Sequence, residues 1–351
     1  MKHSIYTFVL LCLTGLLINC NQDTPSRIVY EMSFEEIAQL AAAENKGFAI
    51  VLADPNCPPC HVLHQALFDD IAIAVGRKAI FNIVNVTRSQ NRWYQQLILS
   101  RGQPTTLLFS PEAELKAIIP GANRVATECI KNVFAGELNC AQFSNTLLFP
   151  PSIQSEDAIR ALSLILTARR KIENGEDATA ELQKSMQTLF YPFQLWLMIQ
   201  NEQNAGNQES AIMYARQMST FREPWHIDLY SDLLLAARFV IDPDFNPDNM
   251  PRLEMDTEEV HLGILQLNET ADFRVNLRNA GKEALVLHDI NVGCSCLTLL
   301  NTARLEKEPD ETSYLHLQFT AEQQGEILRT VIITNNSLEP MRSINVRAVV
   351  M

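Results

Sequence analysis

Phe48-Ala49-Ile50-Val51-Leu52-Ala53-Asp54-Pro55-Asn56-Cys57-Pro58-Pro59-Cys60-His61 is an apolar run, a turn signal and then two closely spaced cysteines. A short apolar run without alternation reads as a strand buried on both faces. Asp54-Pro55-Asn56 breaks it, and from His61 to Val75 the apolar residues return at helical spacing. Cys57 therefore stands just outside a helix start. Unpaired backbone N–H groups and the positive end of the helix dipole favour its thiolate there. Cys60 lies one turn further on, near enough to bridge to Cys57 without moving the backbone. Pro58 and Pro59 fit a first turn, whose N–H groups have no helical partner. They also remove two donors that would have stabilised the thiolate, which leans the pair toward reduction or isomerisation rather than oxidation. His61 or His64 would offset this as a cation; otherwise both belong to a solvated helix face.

Working outward, Ser33 to Asn45 reads as a helix with Phe34, Ile37, Leu40 and Ala41 on one face and Ser33 as N-cap. Beyond the cysteines come a strand (Ala79 to Val86), a helix (Ser89 to Ser100), Gly102-Gln103-Pro104, strands at Thr105 to Phe109 and Leu115 to Ile119, and a helix from Val125 to Ala135. With Cys57-Pro58-Pro59-Cys60 after the first strand and Pro104 ahead of a later one, residues 27–148 resemble the thioredoxin-fold thiol–disulfide oxidoreductases. The resemblance implies that Cys57 is the attacking thiol, Cys60 the resolving thiol and Pro104 a cis-proline facing both, with no cofactor and no metal. Asn56, Val51 and Ile83 stand where that family usually has Trp, Asp and Lys, so no proton acceptor for Cys60 is legible. Cys57-x-x-Cys60-His61 also has the spacing of c-type haem attachment. The buried strand directly before it and Pro104 after it favour the dithiol. A zinc site joining this pair to Cys294 and Cys296 is disfavoured, because zinc sites usually draw both pairs from one small module.

Lys2 and His3 precede an apolar run from Ile5 to Ile18, shorter than the ~20 residues of a membrane span. The run ends at Leu17-Ile18-Asn19-Cys20 and turns polar, which resembles a bacterial lipoprotein signal, with Asn19 in place of the usual small residue. The resemblance implies a signal peptide over residues 1–19, lipid on Cys20 and a tether over 20–26. The body would then lie in the bacterial cell envelope, anchored to a membrane and facing the periplasm or the cell exterior, where disulfides persist. Setting aside Cys12 and Cys20, the cysteines fall as Cys57/Cys60, Cys129/Cys140 and Cys294/Cys296. Cys129 lies in the helix ending near Ala135, and Glu137 to Asn139 can carry the chain back along it, so Cys129 and Cys140 are expected to form a structural disulfide.

Pro150-Pro151 marks a boundary, after which residues 152–241 read as an all-α spacer. Asp242-Pro243 to Pro251 is a linker. Residues 250–351 then alternate in short strands (Phe273/Val275/Leu277, Leu315/Leu317/Phe319, Ile344/Val346/Ala348), which argues for an all-β immunoglobulin-like sandwich. Phe273 to Thr298 resembles bacterial immunoglobulin-like domains of unknown function bearing a Cys-Gly-Cys-Thr motif, here Cys294-Ser295-Cys296-Leu297-Thr298. Placed in a strand, Cys294 and Cys296 share a face with Cα atoms ~6.5–7 Å apart, and bridging them needs a local kink. The pair stands as a redox or metal-binding candidate beside the plainer reading of inert thiols.

The chain has 351 residues, 47% of them apolar and 20% charged. That balance builds cores, suits several domains and excludes a mainly disordered protein. A net charge of −13 argues against general nucleic-acid binding. The expectation is a multidomain chain with an α/β thioredoxin fold, then an all-α segment, then an all-β sandwich. Its expected activity is reduction or isomerisation of disulfides in envelope proteins, with a membrane electron donor as a further partner. The alternatives are a non-enzymatic envelope interaction protein with a thioredoxin-fold binding module, and a haem carrier through Cys57, Cys60 and His61.

Overall fold

The structure, a computed structural model, describes residues 24–100, 102–136, 153–221, 223–301 and 306–351. The described chain divides into two units. One takes in residues up to Thr167 together with Gln183–Leu189, and the other Ala168–Leu182 together with Phe190–Met351.

In the first unit the order is β1 (Arg27–Tyr30), α1 (Phe34–Glu44), β2 (Gly47–Ala53), α2 (Pro58–Ala66), a π-turn (Leu67–Ile71), α3 (Ala72–Val75), β3 (Ala79–Asn85), α4 (Arg92–Leu97), β4 (Thr105–Phe109), β5 (Leu115–Pro120) and α5 (Arg124–Ala135). The sheet runs β1-β3-β2-β4-β5. β1, β3 and β2 are parallel, while β4 and β5 run antiparallel to their neighbours. Phe48 to Leu52 of β2 are all buried, as a strand covered on both faces requires. On one face Phe48 stacks on Phe109 at 4.6 Å and Phe34 meets Phe109 edge-on at 5.4 Å. On the other, Val51, Phe81 and Leu108 pack with Leu63, Leu67, Ile71 and Ile130.

Local chemistry sets the helix ends. Ser33 and Glu36 form a capping box, and those hydrogen bonds hold the Glu36 carboxyl below its usual range. Asn45 closes α1 in the left-handed conformation. The helix that carries Cys60 begins at Pro58 with Cys57 as N-cap, so both prolines fall in its first turn as expected. Leu63, Leu67, Ile71 and Val75 repeat every four residues and are all buried. In a pure α-helix such a stripe drifts by ~40° per repeat. The π-turn at Leu67–Ile71 takes up that drift and keeps the stripe on the sheet.

Of the helical segment, α6 (Ser155–Glu173) and α7 (Thr179–Met186) run across the division, and α8 (Pro192–Asn204), α9 (Gln208–Met218) and α10 (Pro224–Ile241) belong to the second unit. Asn201 of α8 accepts from Ala178 N–H and donates to Thr179 Oγ1 at 3.0 Å, pinning the start of α7. The strands follow: β6 (Leu253–Met255), β7 (Glu259–Leu265), β8 (Thr270–Asn279), β9 (Leu285–Asn291), β10 (Leu297–Leu299), β11 (Glu306–Lys307), β12 (Thr312–Thr320), β13 (Gly325–Asn335) and β14 (Met341–Val350). They form two sheets, β10-β12-β8-β6 and β11-β9-β13-β14-β7. Val275, Leu277, Leu315 and Leu317 of the first share one core with Val331, Ile333, Ile344 and Val346 of the second, the arrangement of a sandwich.

One local expectation is corrected. Cys294 and Cys296 lie in a turn between β9 and β10, not in a strand. Gly293 adopts φ +72°, and a Cβ there would come within 3.0 Å of Thr330 O, so the chain turns where only glycine fits easily. Leu297 N–H returns to Cys294 O at 3.3 Å. The turn draws the two Cα atoms to 5.2 Å, and the sulfurs are bonded to each other. The kink needed for bridging is thus built into the backbone.

Candidate functional site

The turn Asp54–Cys57, closed by Cys57 N–H to Asp54 O at 3.1 Å, delivers Cys57 from the end of β2 to the start of α2. Asp54 Oδ1 accepts from Asn56 N–H at 2.8 Å and holds this turn. Cys57 and Cys60 are disulfide-bonded, with Cα atoms 5.2 Å apart. Cys57 is half-buried and Cys60 is buried, so the first sulfur is the one a second molecule can reach. Cys57 Sγ accepts from the N–H of Cys60, the third residue of the helix, at 3.2 Å. Pro59 leaves the second position without a donor, as read from the sequence.

Pro104 is buried and follows a cis Gln103–Pro104 peptide. Its approach is knit by Gly102 N–H to Ser100 Oγ and by Thr105 Oγ1–H to Gly102 O, at 3.0 and 2.7 Å. This places the Gln103 carbonyl oxygen 3.7 Å from Cys57 Sγ. The three residues that the thioredoxin resemblance singled out, Cys57, Cys60 and Pro104, thus meet at one place.

On the Cys60 side a pocket of about 410 Å3 opens between β1, β2, β3 and α2, with Tyr30, Glu31, Asp54, His64 and Arg88 among its walls. Tyr30 Oη and His64 Nε2 are 3.2 Å apart. Glu31 is tied down: it accepts from Asn85 N–H at 2.7 Å and from Asn91 Nδ2 at 3.0 Å, and pairs with Arg88 at 3.6 Å. Tyr30, Glu31, Asp54, His64 and Arg88 thus supply the polar lining that Val51 and Ile83 do not. Sequence reasoning missed Tyr30, Glu31, Asp54 and Arg88 in this role. Asp54, three residues before Cys57, carried a local signal; the others converge only through the fold. His61, the iron ligand of the haem reading, is exposed on α2.

The remaining candidates lie elsewhere. Cys129 of α5 is disulfide-bonded; its expected partner Cys140 and the lipidation candidate Cys20 lie outside the described residues. Cys294 is half-buried and Cys296 buried, in the second unit. Bonded to each other, neither offers the thiolate a metal would take. Among the described residues there is no cluster of three or more His, Cys, Asp or Glu suited to a metal ion, and no helix long and apolar enough to cross a membrane.

Residues 34–131 match the thioredoxin-like domain family, and residues 253–350 match a family described as a protein of unknown function (DUF1573). No curated protein matches the chain. Among solved structures, thioredoxin NaTrxh from Nicotiana alata is 19% identical over 32% of this chain and 93% of its own, with a TM-score of 0.26. A reduced thioredoxin pre-protein from Schistosoma mansoni is 20% identical over 31% and 99%, with a TM-score of 0.26. A protein of unknown function from Porphyromonas gingivalis W83 is 25% identical over 30% of this chain, with a TM-score of 0.27, and the match spans 50% of that protein's length. The N-terminal segment is thus a thioredoxin-like domain with a close Cys57–Cys60 pair, a thiol redox site, and the C-terminal segment is a β-rich domain.

Proposed function

We propose that the chain is a lipid-anchored thiol–disulfide oxidoreductase of the bacterial envelope, facing the periplasm or the cell exterior, that reduces or isomerises disulfides of envelope proteins. The observation that carries this reading is the half-buried Cys57 at the start of α2, bonded to a buried Cys60 and facing Gln103–Pro104. In the dithiol form, the Cys57 thiolate attacks one sulfur of a client disulfide. A Cys57–client bond forms and the other client sulfur leaves as a thiolate. Cys60 then gives up its proton on the pocket side and attacks Cys57 Sγ, which releases the second client thiol and closes the Cys57–Cys60 bond. Two electrons pass to the client, and an external dithiol donor restores the pair. The backbone at Gln103 offers the client a short strand-like docking edge beside the sulfurs.

The test is trapping in the native envelope. Cys60→Ala halts the cycle at the mixed disulfide, so client proteins are released from it by reductant; Cys57→Ala retains none. Clients captured by Cys60→Ala, together with reduction of a test disulfide by the wild type, support the enzyme. If Cys60→Ala captures nothing beyond the Cys57→Ala control and the wild type reduces no test disulfide, the domain is a binding module instead.

A further inference from the structure

The Cys294–Cys296 bridge has features that a structural staple does not need. It spans only one intervening residue. A loop that small restricts the unfolded chain far less than a long one does, so the bridge adds little as a cross-link. The sandwich around it is already closed by a core drawn from both sheets. Yet the local sequence is committed to forming it. Gly293 supplies the left-handed turn at φ +72°, Cys294 N–H binds Val292 O at 2.9 Å, and Thr320 N–H binds Cys296 O at 2.8 Å.

The two sulfurs are also unequal. Cys294 is half-buried beside the exposed Ser295, whereas Cys296 is 5% exposed and part of the core. Arg329 of β13, itself half-buried, donates from Nε to Cys296 Sγ at 3.3 Å, and its Nη1 binds Leu328 O at 2.9 Å. No carboxylate among the described residues is paired with that guanidinium. A cation held against the inner sulfur favours its thiolate, and a better-stabilised thiolate is a faster leaving group. The outer sulfur is open to attack, and the inner one is equipped to leave.

We propose that Cys294–Cys296 is a second thiol–disulfide exchange centre, which accepts electrons from a dithiol. An incoming thiolate bonds to Cys294 Sγ, the Cys294–Cys296 bond breaks, and Cys296 departs as a thiolate beside Arg329. The donor's second thiol loses its proton to solvent and attacks the donor sulfur of the mixed disulfide. Cys294 is thereby released as a thiolate that takes up a proton. The donor leaves as a disulfide and the Cys294/Cys296 pair is left reduced by two electrons. The donor class is a dithiol able to close a ring on itself, as a Cys-x-x-Cys pair does. The centre stands on residues of the second unit alone and does not depend on the function proposed for Cys57 and Cys60.

The experiment uses the full chain carrying Cys57→Ser and Cys60→Ser, so that failure here is separate from failure at the first site. The folded protein is incubated with dithiothreitol or with glutathione buffers, quenched in acid and alkylated, and the peptide containing Cys294 and Cys296 is weighed. The expected result is complete reduction under native conditions, reversed by oxidised glutathione, while Cys129 stays protected from alkylation. Arg329→Met slows reduction roughly tenfold and Arg329→Lys, which keeps the charge, by no more than about twofold. In Cys296→Ser the remaining Cys294 takes up one glutathione, and in Cys294→Ser the buried Cys296 takes up much less. A bridge that resists dithiothreitol until the protein unfolds overturns the proposal, as do thiols that oxidised glutathione cannot re-close. Equal rates for the wild-type, Met and Lys forms at position 329, each folded by circular dichroism, overturn it as well.

Discussion

At the level of single residues, Pro59 sets the character of the Cys57–Cys60 pair. An N-cap acceptor is served by the N–H groups of the second and third helical residues. Here Cys60 supplies the third at 3.2 Å, and proline removes the second. Pro59→Ala restores a donor to the Cys57 thiolate and favours the dithiol form, so the pair becomes more oxidising. For every ~1.4 kcal/mol of added stabilisation the reduction potential rises by ~30 mV; equilibration with glutathione measures it, and a potential unchanged or lowered refutes the reasoning. His226 poses a separate residue-scale question. It is buried against Phe221, Trp225 and Tyr230, neither ring nitrogen has a hydrogen-bond partner among the described residues, and desolvation lowers its pKa from 6.5 to about 4. The unfolded chain takes its proton below pH 6.5, whereas the folded chain does so only below about pH 4. The protonation of His226 therefore costs stability as the pH falls through that window, by at most ~3 kcal/mol, and this pH-dependent cost is absent above it. Unfolding titrations of the wild type and His226→Phe, compared from pH 7 to 4, should diverge in favour of the variant toward acid. Parallel curves would mean that the ring is hydrated in the folded protein. The cysteines and Pro104 were legible because a motif states them outright. Tyr30, Glu31 and Arg88 were not, since nothing local marks residues that meet only when β1 is laid beside β3.

At the level of elements, apolar runs and caps located β2, α1, β4 and α5 well, because burial on both faces and a capping box leave direct marks in the sequence. β1 leaves no such mark: it has four residues, with Arg27 and Tyr30 exposed at its ends, and its pairing with β3 is a long-range event. The turn at Cys294 leaves no mark in the sequence that separates it from strand, because Gly293 alone does not reveal its φ. Gly47, at the start of β2, shows a tighter constraint. A Cβ there would sit 2.8 Å from Cε1 of Phe134 and 3.0 Å from the carbonyl oxygen of Phe109. The ring can shift, but the Phe109 carbonyl is fixed by the β2–β4 ladder. Gly47→Ala should thus destabilise the domain by about 1–3 kcal/mol through overpacking. A lower denaturant midpoint with an unchanged slope is the expected reading, and an unchanged midpoint would show that α5 yields at no cost.

At the level of the whole molecule, the succession of α/β, all-α and all-β segments was legible because the hydrophobic period changes twice along the chain, at Pro150-Pro151 and in the linker before Pro251. The division into two units, which cuts through α6 and α7 and joins α8, α9 and α10 to the two sheets, was not legible, because it depends on contacts between residues far apart in the chain. The proposed anchor gives a whole-molecule expectation. One acyl chain binds a membrane only marginally, at ~0.8 kcal/mol per buried CH2, so firm attachment through Cys20 alone takes more than one chain there. If Cys20 carries such a group, the mature N-terminal peptide is heavier than its sequence by more than one acyl chain, and the protein partitions into the detergent phase. Cys20→Ser then abolishes the added mass and moves the protein to the aqueous phase, with reduction of a soluble test disulfide by Cys57 and Cys60 retained. Trapping through Cys60→Ala in that released form should lose clients confined to the membrane surface and keep soluble ones. A wild-type N-terminal peptide of unmodified mass refutes the anchor, and an unchanged client set after release refutes the idea that tethering selects the clients.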